Sequence, residues 1–158
     1  MSVEILLVPV ALAAAHAVVA VAGAVTAAVG DDGTERKAIA VQTRLKHPGL
    51  LVDALVSVGA RATSHTDGSV SGTWEGIAFR FVHNEDGTLS AHLDADVDVA
   101  RAQELILVTD SAYAKAVQDA VAQRVRDRAG ELGMTVESET VDEDESVTLV
   151  LNVDQVRS

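Results

Sequence analysis

ILLVPVALAAAHAVVAVAGAVTAAV, residues 5–29, is a run without one charged side chain, and its reading decides the fold. Eleven of its positions are Ile, Leu or Val and ten are Ala, interrupted by Pro9, His16, Gly23 and Thr26. As a single helix it would be about 37 Å long, against a bilayer core of roughly 30 Å. The eleven larger aliphatic side chains favour insertion by about 3–7 kcal/mol, from which Pro9 and His16 subtract. The run therefore predicts a membrane-spanning helix. Arg36, Lys37, Arg44 and Lys46 follow it and no Lys or Arg precedes it. Positive charge stays inside, which places the amino terminus outside and the rest of the chain in the cytoplasm. Ala13-Ala14-Ala15 offers a small-residue cleavage site, but Glu4 stands where a signal peptide carries basic residues, and the apolar run continues well past it. The competing reading is a helix at the common core of a soluble homo-oligomer, because Ala20, Ala24 and Ala28 recur every four positions and let two backbones approach closely. His16 then reads as a polar residue at a helix interface.

Working outward, residues 1–30 form the apolar element, 31–36 a hinge around Asp31-Asp32-Gly33, and 37–158 one α+β domain large enough for a single core. The net charge of −12 falls almost wholly on the residues after the apolar element, since Glu4 is the only acidic residue before Asp31 and no basic residue precedes Arg36. Such a surface repels phosphate backbones, which argues against nucleic acid as a partner and for another protein or a second copy of the chain. With no cysteine there is no disulfide, thiolate nucleophile or cysteine-ligated metal. One Trp, one Tyr and two Phe are too few for a stacking platform.

Within the domain, Lys37 to Leu45 reads as a strand, and His47-Pro48-Gly49 opens a helix whose stripe Leu50, Leu51, Ala54, Leu55 and Val58 ends at Gly59. Val70 to His83 reads as one or two strands, with Phe79, Phe81 and His83 alternating against Ala78, Arg80 and Val82. Asn84-Glu85-Asp86-Gly87 turns the chain into Leu89, Ala91 and Leu93, which alternate with Ser90, His92 and Asp94. Asp98 caps a helix through Leu107, and Thr109, Asp110 or Ser111 caps a second, longer one. That second helix has an apolar face of Tyr113, Ala116, Val117, Ala120, Val121 and Val125, and Gln118 lies outside it. Met134 to Glu139 and Ser146 to Val153 form a hairpin. The fold class is α+β, a mostly antiparallel sheet with two or three helices on one face, preceded by the apolar helix. Trp74 and Tyr113 read as core.

The helix ending at Val58-Gly59, the hairpin FRFVHNEDGTLSAHLDADVD (79–98), the pair Tyr113-Ala114, the helix end Leu132-Gly133 and the acidic hairpin TVDEDESVTLVLNV (140–153) together resemble a small uncharacterised reading-frame family of algal plastids and cyanobacteria, over residues 43–153. Members of that family are soluble and begin near the first strand of the domain. The family has no assigned function, so the resemblance implies no catalytic residue and no cofactor.

Candidate chemistry is sparse. His92, Asp94, Asp96 and Asp98 would share one face of a continued strand, with His83 across the hairpin. His83, His92, Asp94 and Asp96 are thus the candidate ligands of a divalent cation and of a small metal-dependent enzyme. The alternative is a polar strand face followed by a helix cap at Asp98. Ser64-His65 beside Asp67 suggests a nucleophile and base, but neighbours on a strand point to opposite faces, so a turn is the better reading. Gly68-Ser69-Val70-Ser71-Gly72 lacks the Lys of a phosphate loop. The acidic run Glu137 to Glu145 suits a basic partner or a solvated hairpin tip. The sequence thus favours a membrane-tethered interaction or assembly domain, with the soluble homo-oligomer and the metal enzyme as alternatives.

Overall fold

The computed structural model describes residues 2–7, 25–29, 35–94, 96–143 and 145–153. These form nine strands and two helices: β1 Ser2–Leu7, β2 Val25–Val29, β3 Glu35–Gln42, α1 Pro48–Ser57, β4 Arg61–Ser64, β5 Val70–Trp74, β6 Ile77–His83, β7 Leu89–Asp94, α2 Val99–Glu131, β8 Met134–Val141 and β9 Val147–Val153. Every strand pairing is antiparallel. The chain divides into two compact units at Tyr113/Ala114, inside α2.

The helix expected over 5–29 is corrected at both ends. Ser2–Leu7 pairs with β9, from Ser2 opposite Asn152 to Leu7 opposite Val147, and Val25–Val29 pairs with β3. Residues 8–24, with Pro9, His16, Ala20 and Ala24, lie outside the described residues. Ile5 and Leu7 pack on the hydrophobic cluster of their sheet while Glu4 is exposed, the two-residue period of a strand. Branched aliphatic side chains suit a covered strand as well as a lipid-facing helix, and apolarity alone does not separate them. Among the described residues the first helix begins at Pro48, and no helix is long and apolar enough to cross a membrane. The leading apolar helix, the bilayer as partner and the single-pass topology with an outside amino terminus and a cytoplasmic domain are corrected on this ground. The self-assembling alternative accords better with this fold than the membrane tether does, and Ala20 and Ala24, on which its helix contact was placed, lie outside the described residues.

One unit holds the six-stranded sheet β2-β3-β7-β6-β5-β4, α1 and the first part of α2. Its core joins Ile39, Val41, Val70, Phe79, Phe81, Leu89, Ala91 and Leu93 of the sheet to Leu51 and Leu55 of α1 and Ala102, Leu105 and Ile106 of α2. Phe79 and Phe81 meet edge to face, with centroids 5.8 Å apart. Pro48 starts α1, where a missing N–H costs nothing. Gly59, at φ +89°, ends it: its N–H donates to Val56 O and that of Ala60 donates to Leu55 O, with Ala60 and Leu55 buried together. Glu75 and Gly76, both at positive φ, make the tight two-residue turn that splits residues 70–83 into β5 and β6. Segment 43–47 is fixed to α2: Arg44 grips Asp110 with Nε at 2.9 Å and Nη2 at 2.7 Å, and the Tyr113 hydroxyl accepts the N–H groups of Lys46 and His47. Tyr113 therefore has a polar duty beside its packing on the core.

The other unit holds the three-stranded sheet β1-β9-β8 and the rest of α2. The two helices expected between Asp98 and Gly133 are one. Thr109, read as a cap, is buried and donates its hydroxyl to Leu105 O one turn back, so the helix runs through it. Buried positions recur at helical spacing as Ala102, Leu105, Ile106 and Thr109, and again as Gln118, Ala122 and Ala129. The second set does not continue the phase of the first. Hence Val121 and Ala120, assigned to the apolar face, are exposed, whereas Gln118, assigned to the outside, is buried.

Candidate functional site

The expected metal ligands are dispersed by strand parity. In the β6–β7 ladder Arg80 faces His92 and His83 faces Leu89. Leu89 belongs to the core face, so His83 projects from the opposite side of the sheet to His92. Asp94 shares the face of His92, and Asp96 lies in the turn beyond the strand. The charged neighbour of His92 is Arg80, and burial first, then that guanidinium, holds the imidazole below its usual pKa. Among the described residues no group of three or more His, Cys, Asp or Glu side chains is placed to hold a metal ion. The metal-dependent enzyme is corrected accordingly. Asp98 donates nothing to such a site: its side chain accepts the N–H of Ala100 at the start of α2.

Ser64, His65 and Asp67 do not form a catalytic line. His65 Nε2 lies 2.7 Å from Ser71 Oγ across the β4–β5 pair. Asp67 accepts the Ser69 hydroxyl at 2.7 Å and the Ser69 N–H at 2.9 Å, and these bonds, helped by Arg80, hold its carboxyl below the ordinary range. Gly68 closes this turn at φ +78°, and a Cβ there would sit 2.8 Å from His83 Nε2.

Large apolar side chains are exposed singly on the helices, at Val56, Val99, Leu107 and Val108 among others, but a sheet surface with unspent interaction capacity lies on the three-stranded sheet. Val147, Leu149 and Leu151 of the central strand β9 are buried on its helix side, and Val147 and Leu149 cluster with Ala122 and partly buried Ile5, Leu7 and Val125. Gln118 anchors the helix there, donating to Leu7 O at 3.1 Å and to Glu145 O at 2.7 Å. On β8 the residues opposite Val147, Leu149 and Leu151 are Val141, Glu139 and Val136. Paired residues share a face, so these three point to the helix side too. Yet Val141 is 63 % exposed and Val136 38 %, and Leu132, after the helix end, is 62 % exposed. One helix covers the middle of the sheet and leaves the β8 margin of its apolar face open.

That margin is strongly acidic. Between Glu131 and Glu145 the sequence carries seven acidic residues and no basic one. Arg126 of α2 answers part of the charge, binding Glu139 through Nη2 at 2.5 Å and Nε at 3.2 Å. β8 is also an edge strand, with β9 on one side and no described strand on the other. The acidic run was visible in the sequence, but its place beside exposed valines on a sheet edge was not, because that depends on β1 taking the far side of β9.

No known protein-family model matches the chain, and no curated protein or solved structure matches it either.

Proposed function

We propose that this chain is a protein-interaction domain that joins another polypeptide through the open β8 margin. The observation that carries this reading is the exposure of Val136 and Val141 on the same sheet face as buried Val147, Leu149 and Leu151. Apolar side chains aligned with a core but left in water make a surface whose burial by a partner is favourable, by roughly 25 cal/mol for each Å² covered. The −12 net charge supports a role in which solubility and partner choice are set by acidic groups.

Site-specific photo-crosslinking in the cells that make the protein tests it. A photoreactive side chain at Val141 or Leu132 is expected to give a discrete protein adduct that the same group at Thr63, exposed on β4, does not give. An adduct with a second copy of the chain would make the margin a self-assembly surface. Equal or absent labelling at all three positions would overturn the reading.

A further inference from the structure

We infer that β8 is the docking edge for a basic, extended segment of a partner protein, which adds to the sheet β1-β9-β8 as a further strand. This rests on the interaction reading and specifies its occupant and its mode.

The mode follows from the edge. A strand paired on one side only presents alternate N–H and C=O groups outward, and an extended peptide satisfies them by continuing the ladder. The register shift between Val136 and Ser138 interrupts β8 near its start and leaves Ser138–Val141 as the regular stretch. On its helix side the margin reads apolar, acidic, apolar along Val136, Glu139 and Val141. Cross-strand neighbours lie about 4.5–5.5 Å apart, so the complementary strand carries a Lys or Arg opposite Glu139 and aliphatic residues on either side. Glu139 keeps room for a second cation, because a carboxylate accepts at about four lone-pair positions and Arg126 occupies two.

The occupant follows from the charge. A second copy of the chain pairing β8 to β8 would bring two runs of seven acidic residues together, and like charges directly opposed destabilise a ladder. The same field draws in a cationic segment and speeds its encounter. Acidic side chains and a bulge are devices that keep edge strands from indiscriminate pairing. Here they leave one class of strand admissible.

The test uses the full chain, isotopically labelled, titrated with a short Val-Thr-Lys-Thr-Val peptide, which as a strand presents valine, lysine and valine on one face. Its controls are the same peptide interrupted by proline and one with glutamate in place of lysine. The lysine peptide is expected to slow amide exchange at outward-facing positions within Ser138–Val141 and to bind about tenfold more weakly when screening is raised from low to physiological salt. Neither control should protect those amides. The double variant Glu143→Lys, Glu145→Lys, which alters only exposed tip residues, is expected to weaken binding about tenfold and leave the folded spectrum intact. Binding of the lysine peptide and the proline control with equal strength, without protection in β8, would overturn strand addition. In that case an adduct at Val141 would still support the interaction reading, and loss of the adduct would end both.

Discussion

The two units solve the same problem to different degrees. Both lay part of α2 on an antiparallel sheet, but the six-stranded sheet adds α1 and buries Phe81, Leu51, Leu55 and Leu89 almost completely. The three-stranded sheet has a single helical segment over it, buries Ala122, Val147 and Leu149 as its cluster, and exposes Val136 and Val141 at its margin. The first leaves Val56, Val99, Leu107 and Val108 exposed, all on its helices. The second leaves Val136 and Val141 exposed on an edge strand, on the same sheet face as its buried core.

If that contrast is right, Phe81→Ala gives the largest loss, about 3–5 kcal/mol in chemical denaturation, because a fully buried ring leaves a cavity between sheet and helices. Gln118→Ala comes next, at about 1–3 kcal/mol, since it strips the carbonyls of Leu7 and Glu145 of their donor. A loss from Gln118→Ala equal to that from Phe81→Ala would show that the smaller unit is not the more loosely built one.

A smaller effect concerns acid. His92 has its pKa lowered in the folded chain, by burial and then by Arg80, from a reference value of 6.5. The unfolded chain then takes up a proton that the folded chain resists, so this group's contribution to stability falls as pH drops through about 6.5 and levels off below the folded pKa. His92→Gln should flatten that part of the stability profile relative to wild type. An unchanged slope would mean that the imidazole is freely solvated.

Much of the six-stranded unit was legible because its signals are local. Pro48 and Gly59 bracket α1, and Gly87 and the alternation of Leu89, Ala91 and Leu93 mark the β6–β7 hairpin. The same alternation already placed His83 and His92 on opposite faces, which the metal reading overlooked. The strands at the two ends of residues 5–29 were not legible, since β1 takes its identity from β9 at the far end of the chain and an unbroken aliphatic run has no period to read. The phase change in α2 misled for a related reason: two buried stripes out of step look like two helices. The open margin depends on two facts, that β1 takes the far side of β9 and that a single stretch of helix covers the three-stranded sheet.

Val141→Asp separates a partner surface from a part of the fold when unfolding free energy and binding of the Val-Thr-Lys-Thr-Val peptide are measured in the same samples. Stability within about 0.5 kcal/mol of wild type is expected, because the side chain is already in water, together with loss of the slowed exchange at Ser138–Val141. A loss of about 2 kcal/mol or more with peptide binding unchanged would contradict it, showing Val141 to be part of the fold rather than a surface kept for a partner.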